Sequence, residues 1–133
     1  MRRRLAHLRR NTAGNIATFF ALSAMGLALM VGLAIDINRY VSVRNQVQEA
    51  LDAAALGAAA SRAQTVKELE AVSGPYLEAN LKTGQLIDGW KTGTQYVDGK
   101  IVRVTFKGGV KPIFAGLAGV KQFDINALSE ATR

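Results

Sequence analysis

At 133 residues the chain holds one modest domain beside any membrane segment, and its lack of cysteine excludes disulfide frameworks and thiolate metal sites. It carries 17 basic and 10 acidic residues, a net charge of +7. Five of the basic residues (Arg2, Arg3, Arg4, Arg9 and Arg10) fall in residues 1–14, where there is no acid, and the remaining 12 basic and 10 acidic side chains nearly balance.

Residues 1–14 therefore read as a basic head, MRRRLAHLRRNTAG, set apart from the rest. An arginine cluster can bind nucleic acid through phosphates, but one placed directly before an apolar twenty-mer fits the positive-inside rule, so no nucleic-acid partner is expected. Only Arg39 and Arg44 lie close on the far side, which predicts a cytoplasmic N-terminus and an outward C-terminal part. His7, the sole histidine, sits among arginines with no partner for metal or acid–base work.

From Ile16 to Ile35 there is no charge, and only Thr18 and Ser23 carry polar side chains. Twenty helical residues span about 30 Å, the thickness of a bilayer's hydrocarbon core. Backbone groups in lipid must bond internally, so this stretch is predicted to be helical. Ile16, Phe19, Phe20, Leu22, Leu27, Leu29, Val31, Leu33 and Ile35 are its candidate lipid-facing residues. Three fates are open to it. It can stay as an anchor, or be cut near Gly32-Leu33-Ala34 as a secretory signal, although signal cores run to about 7–15 residues. Alternatively the head alone is removed between Gly14 and Asn15, because a short basic leader ending in glycine before an uncharged helix resembles a type IV prepilin leader.

Nothing stops the helix at Ile35, for the first proline is Pro75. Tyr40, Val43, Val47, Leu51, Ala54 and Ala58 recur at three- and four-residue steps and form one stripe, while Asn38, Asn45, Glu49 and Asp52 lie opposite. Leu56 falls off the stripe and suggests a second contact face. The alanines at 53–55 and 58–60 permit close helix approach. One rod over residues 15–61 is predicted, about 70 Å long. Asp36, the first acid, is expected to end the membrane span and to pair with Arg39 or Tyr40 on the next turn; a contact to another subunit is the rival role.

Gly14-Asn15-Ile16-Ala17, Phe20-Ala21-Leu22, Gly32-Leu33-Ala34-Ile35-Asp36, Arg39-Tyr40 and the run Val47 to Leu56 occur in order. Together they resemble the N-terminal module of TadG-like proteins of the Tad (Flp, tight-adherence) pilus system, over roughly residues 14 to 60. That resemblance implies a bacterial inner-membrane protein that assembles, anchors or caps a pilus. Its implied partners are other pilins or Tad assembly proteins and, where the leader is cut, a prepilin peptidase. The chain is too short for the von Willebrand-type domain of many TadG-like proteins and resembles a minor pilin in size. Counting from Asn15, Phe19 stands where polymerising pilins carry a glutamate that neutralises a neighbour's terminal amine, which speaks against efficient self-polymerisation.

Residues 62–133 are expected to form a small extracytoplasmic domain. Val66, Leu69, Val72, Tyr76, Leu77 and Leu81 predict helix over Thr65–Lys82, broken at Gly74-Pro75 and ended at Gly84. Val97-Asp98-Gly99-Lys100 predicts a hairpin with a two-residue turn. Val102, Val104 and Phe106 then alternate with Arg103, Thr105 and Lys107 as a strand that Gly108-Gly109 breaks. Pro112–Leu117 is expected to be a short helix with Ile113, Phe114 and Leu117 turned inward, and Phe123, Ile125 and Ala127 mark a last strand. The predicted class is α+β, a long N-terminal helix followed by a small antiparallel sheet that uses the Val43–Ala58 stripe to complete its core.

No enzyme is expected, and no cofactor, metal or small-molecule substrate. Gly108-Gly109 and Gly116-x-x-Gly119 lack the Lys-Ser or Lys-Thr of a phosphate loop. An envelope enzyme would need a polar pocket near Asp88 or Asp124, and a secreted or anchored binding module unrelated to pili is the nearer alternative.

Overall fold

A computed structural model describes residues 13–81 and 83–133. The expectations for the basic head, its five arginines and His7, and for Lys82, lie outside the described residues. The order is α1 (Ala13–Ala60), α2 (Val66–Asn80), a 3-10 turn (Thr83–Gln85), β1 (Lys91–Val97), β2 (Ile101–Val110), a second 3-10 helix (Ala115–Ala118) and β3 (Phe123–Thr132). The class is α+β: one long apolar helix, a second helix, and a three-stranded antiparallel sheet in the order β1-β2-β3.

α1 runs 48 residues without interruption, about 72 Å. It stops at Ser61, whose Oγ donates to the Ala58 carbonyl at 2.6 Å. Just beyond, the Arg133 guanidinium donates to the carbonyls of Ser61 and Ala63 and ties the helix end to the end of β3. α2 opens with a capping box: Thr65 Oγ1 accepts from the Glu68 amide, and the Glu68 carboxylate accepts from the Thr65 amide.

The predicted break at Gly74-Pro75 does not occur, and α2 passes through Pro75 to end at Asn80, before Gly84. Proline at 75 removes one bond, to the Ala71 carbonyl. Pro75 and Ala71 both face solvent, where water can serve that carbonyl. On the opposite side Leu69, Ser73 and Leu77 are buried and hold both halves of the helix in place. Ser73 and Thr94 share a buried hydroxyl–hydroxyl hydrogen bond of 2.9 Å that joins α2 to β1.

α1 and α2 cover one face of the sheet. Val43, Val47, Leu51, Ala54 and Ala58 form one buried cluster with Val102, Val104, Phe106 and Ile125. Burying each such Val, Leu, Ile or Phe side chain is worth about 1.5–3 kcal/mol, so a sheet this small depends on the helix for its stability. The other face is polar, with Arg103 paired to Glu130 across β2 and β3 at 2.5 Å. Trp90 and Tyr96 are half-buried against the core, and Trp90 stacks on Phe106 with ring centroids 5.9 Å apart.

Two further expectations are corrected here. Three residues, not two, separate β1 from β2. Asp98 (φ 50°) and Gly99 (φ 66°) make the left-handed turn, and Lys100 joins it because its N–H bonds Val97 and its carbonyl accepts from Arg133. β2 also does not break at Gly108-Gly109 but continues to Val110, paired with β3 and with the Leu86–Ile87 segment. Glycine is needed there for space. A Cβ at Gly108 would lie 2.8 Å from the Phe106 ring and 2.9 Å from Trp90 Cβ. Phe106 is buried and cannot yield, so Gly108→Ala is expected to cost about 1–3 kcal/mol, read by denaturant unfolding.

Candidate functional site

The features that set this chain apart converge on α1, which changes character along its length. From Gly14 to Val31 it is exposed on nearly every side, and the nine residues from Ile16 to Ile35 named above as lipid-facing are all exposed. This stretch is long and apolar enough to cross a membrane. Gly14 and Asn15 lie exposed in its first turn, where Thr18 Oγ1 donates back to the Gly14 carbonyl at 2.8 Å.

From Gly32 onward one side of α1 is covered by the chain's own domain. Val43, Val47, Leu51, Ala54 and Ala58 are buried, and Tyr40 is half-buried. Ala50, Ala55 and Ala59 are buried too, because α2 covers a second side. Gly57 lets the Tyr76 ring of α2 approach to where a Cβ would stand, 2.6 Å from it. The outward side keeps Ile37, Val41 and Leu56 exposed; Leu56 has no partner within the described residues' core.

Asp36 does not pair locally as expected. Only 2% of it is exposed, and its carboxylate accepts three backbone hydrogen bonds, from Ile113 at 2.8 Å, Phe114 at 2.8 Å and Ala115 at 2.6 Å. Burial pushes the Asp36 carboxyl upward, but the three amides and the nearby Arg39 charge outweigh it and hold the group below the ordinary aspartate value. Arg39 itself donates to the Lys111 carbonyl at 3.2 Å and to Gln85 Oε1 at 3.3 Å. Tyr40 Oη donates to the Asp124 carbonyl at 3.3 Å, and its ring lies 5.7 Å from that of Phe123. One turn of α1 thus grips both ends of the β2–β3 connection.

That connection is also not what its composition predicts. Its helix is a single 3-10 stretch; Ile113 and Leu117 point outward, with Leu117 77% exposed, and Phe114, 38% exposed, packs against Gly32 of α1 and not into the domain core. Asp36 fixes the backbone here by taking the amides of Ile113, Phe114 and Ala115, with Ala115 buried beneath the loop and Ile113 and Leu117 left exposed. Backbone donors leave no mark in a side-chain pattern, so spacing alone could not pair Asp36 with this loop.

Asp88, in the turn before β1, and Asp124, in β3, both lie exposed, and among the described residues no three His, Cys, Asp or Glu side chains gather to hold a metal. The fold and the exposed rod define an α+β protein with one membrane-competent helix as the spine of its domain. Residues 14–61 match the Tad family, Flp pilus-assembly TadE/G-like proteins. The matched segment, about a third of the chain, is similar to TadE/G-like Flp pilus-assembly proteins. The match begins in the first turn of α1 and ends where α1 ends. The chain has no match among curated proteins or solved structures.

Proposed function

We propose that this protein is a membrane-anchored, non-enzymatic subunit of the Tad/Flp pilus machinery, acting in assembly or anchoring as a minor pilin does. The observation that carries the proposal is the uninterrupted α1, exposed and apolar in its first half and the spine of a small domain in its second, coinciding with the TadE/G-like match. The basic head stays in the cytoplasm, Ile16–Ile35 crosses the inner membrane, and residues 62–133 fold on the outer side. The mechanism is mechanical. Apolar side chains between Ile16 and Ile35 leave lipid only where the helices of other pilins or Tad proteins replace the lipid contacts. Phe19, in place of a glutamate, favours a subunit retained in the membrane over one that polymerises freely.

Membrane fractionation followed by sequencing of the mature N-terminus tests this. The full chain is expected in the inner-membrane fraction, beginning at Met1 for a plain anchor or at Asn15 after removal of the leader by a prepilin peptidase. A soluble product, or one beginning near Ile35, would overturn the proposal in favour of a secreted binding module.

A further inference from the structure

We propose that the Pro112–Val120 connection is a lipid-docking loop, which seats Ile113, Phe114 and Leu117 in the headgroup–acyl boundary on the outer side of the bilayer. The inference rests on the reading that Ile16–Ile35 crosses that bilayer. Between Lys111 and Lys121 stand nine consecutive residues with no charged or hydrogen-bonding side chain, PIFAGLAGV. In a water-facing loop, exposed Ile113, Phe114 and Leu117 would be an unfavourable cluster.

Three observations select lipid as the occupant. The first is position. A Cβ on Gly32 would fall 2.7 Å from Phe114, so this ring lies against the last turn of the apolar segment, one turn before Asp36. The second is the backbone. Ile113, Phe114 and Ala115 donate to Asp36, while Leu117, Gly119 and Val120 donate to carbonyls within the loop. Six amides that an ordinary loop would give to water are satisfied without it, which is the condition for a backbone that borders hydrocarbon. The buried carboxylate thereby acquires a purpose: it supplies acceptors where water is scarce. The third is charge. Lys111 and Lys121 bracket the apolar run and are exposed, placed to meet anionic headgroups as the side chains between them enter the boundary.

The chain has no cysteine, so single labels can be placed on the full-length protein. Leu117→Cys, Leu27→Cys and Leu128→Cys, each carrying an environment-sensitive fluorophore, are reconstituted in vesicles of phosphatidylcholine and phosphatidylglycerol. Lipids brominated near the headgroup or near the chain end then serve as quenchers. The Leu117 label is expected to lose fluorescence to the shallow bromines, the Leu27 label to the deep ones, and the Leu128 label, on the sheet's outer face, to neither. Quenching at Leu27 with none at Leu117 overturns the loop's docking and leaves the membrane span standing. A blue-shifted but unquenched Leu117 label means that protein covers the loop, and likewise overturns the inference. No quenching at Leu27 removes the span itself, and the inference with it.

Discussion

Val47→Asp is expected to unfold the C-terminal domain while leaving α1 helical. Val47 is 1% exposed and lies on the face of α1 that joins Leu51, Val102, Val104 and Phe106 in one cluster. Valine and aspartate have similar helix propensities, so the rod itself is little affected. The cost comes from placing a carboxylate among hydrocarbon with no cation in that cluster, about 4 kcal/mol or more. Domains hold only about 5–15 kcal/mol in total, and small ones lie toward the low end. Trp90 is the chain's only tryptophan and stacks on Phe106, so its emission should shift red as residues 62–133 become protease-sensitive. Asn45→Asp, on the exposed side of the same helix, should leave both readouts within about 0.5 kcal/mol of the parent. Unchanged protease resistance in Val47→Asp would remove the helix from its place as the domain's spine.

What could be read from the sequence was whatever shows as a local pattern. The uncharged run from Ile16 to Ile35 marks a segment with one uniform environment. The three- and four-residue steps from Tyr40 to Ala58, and the alternation from Val102 to Phe106, mark elements buried on one side. Ala55 and Ala59 were legible only as small residues that permit close helix approach, and Ala50 not at all, because a second side of α1 is covered by α2 and alanine gives little hydropathy contrast. Pro75 and Gly108-Gly109 misled for the same reason: local propensity lost to tertiary support. Leu69 and Leu77 hold the helix across Pro75, and the Trp90–Phe106 stack fills the room above Gly108. The site at Asp36 was the least legible. Its partners are main-chain amides more than seventy residues away, and backbone donors leave no trace in the spacing of Ile113, Phe114 and Leu117.

That arrangement makes Asp36→Asn the sharpest single test of how α1 and the domain are joined. Asparagine keeps the shape of the side chain, but one of its two terminal groups is a donor. It would face the amides of Ile113, Phe114 and Ala115, leaving at least one of them unpartnered and all of them without a charged acceptor. The expected result is a Tm lower by several degrees in detergent, with proteolysis beginning between Pro112 and Val120 while the β1–β2 hairpin stays protected. The acid side of the pH profile supplies an independent readout. Because the Asp36 carboxyl is held below its ordinary value in the folded protein, its stabilisation is fully present above the usual aspartate range. It is lost as pH falls through the lowered folded-state value. The parent's Tm should therefore be insensitive to this group from neutrality down to about pH 5, then decline below about pH 4. Glu68, held low chiefly by the Gln64 amide and then by that of Thr65, adds a decline of the same sign, and Asp36→Asn leaves it in place. The difference between the two profiles thus isolates Asp36: widest near neutrality, it should close as acid protonates the parent's carboxylate. Profiles that stayed parallel to the lowest pH would show that the charge contributes nothing and that Asp36 serves only as a shape. The turn of α1 that meets the β2–β3 connection would then owe its place to Arg39, Tyr40 and the packing of Phe114 on Gly32.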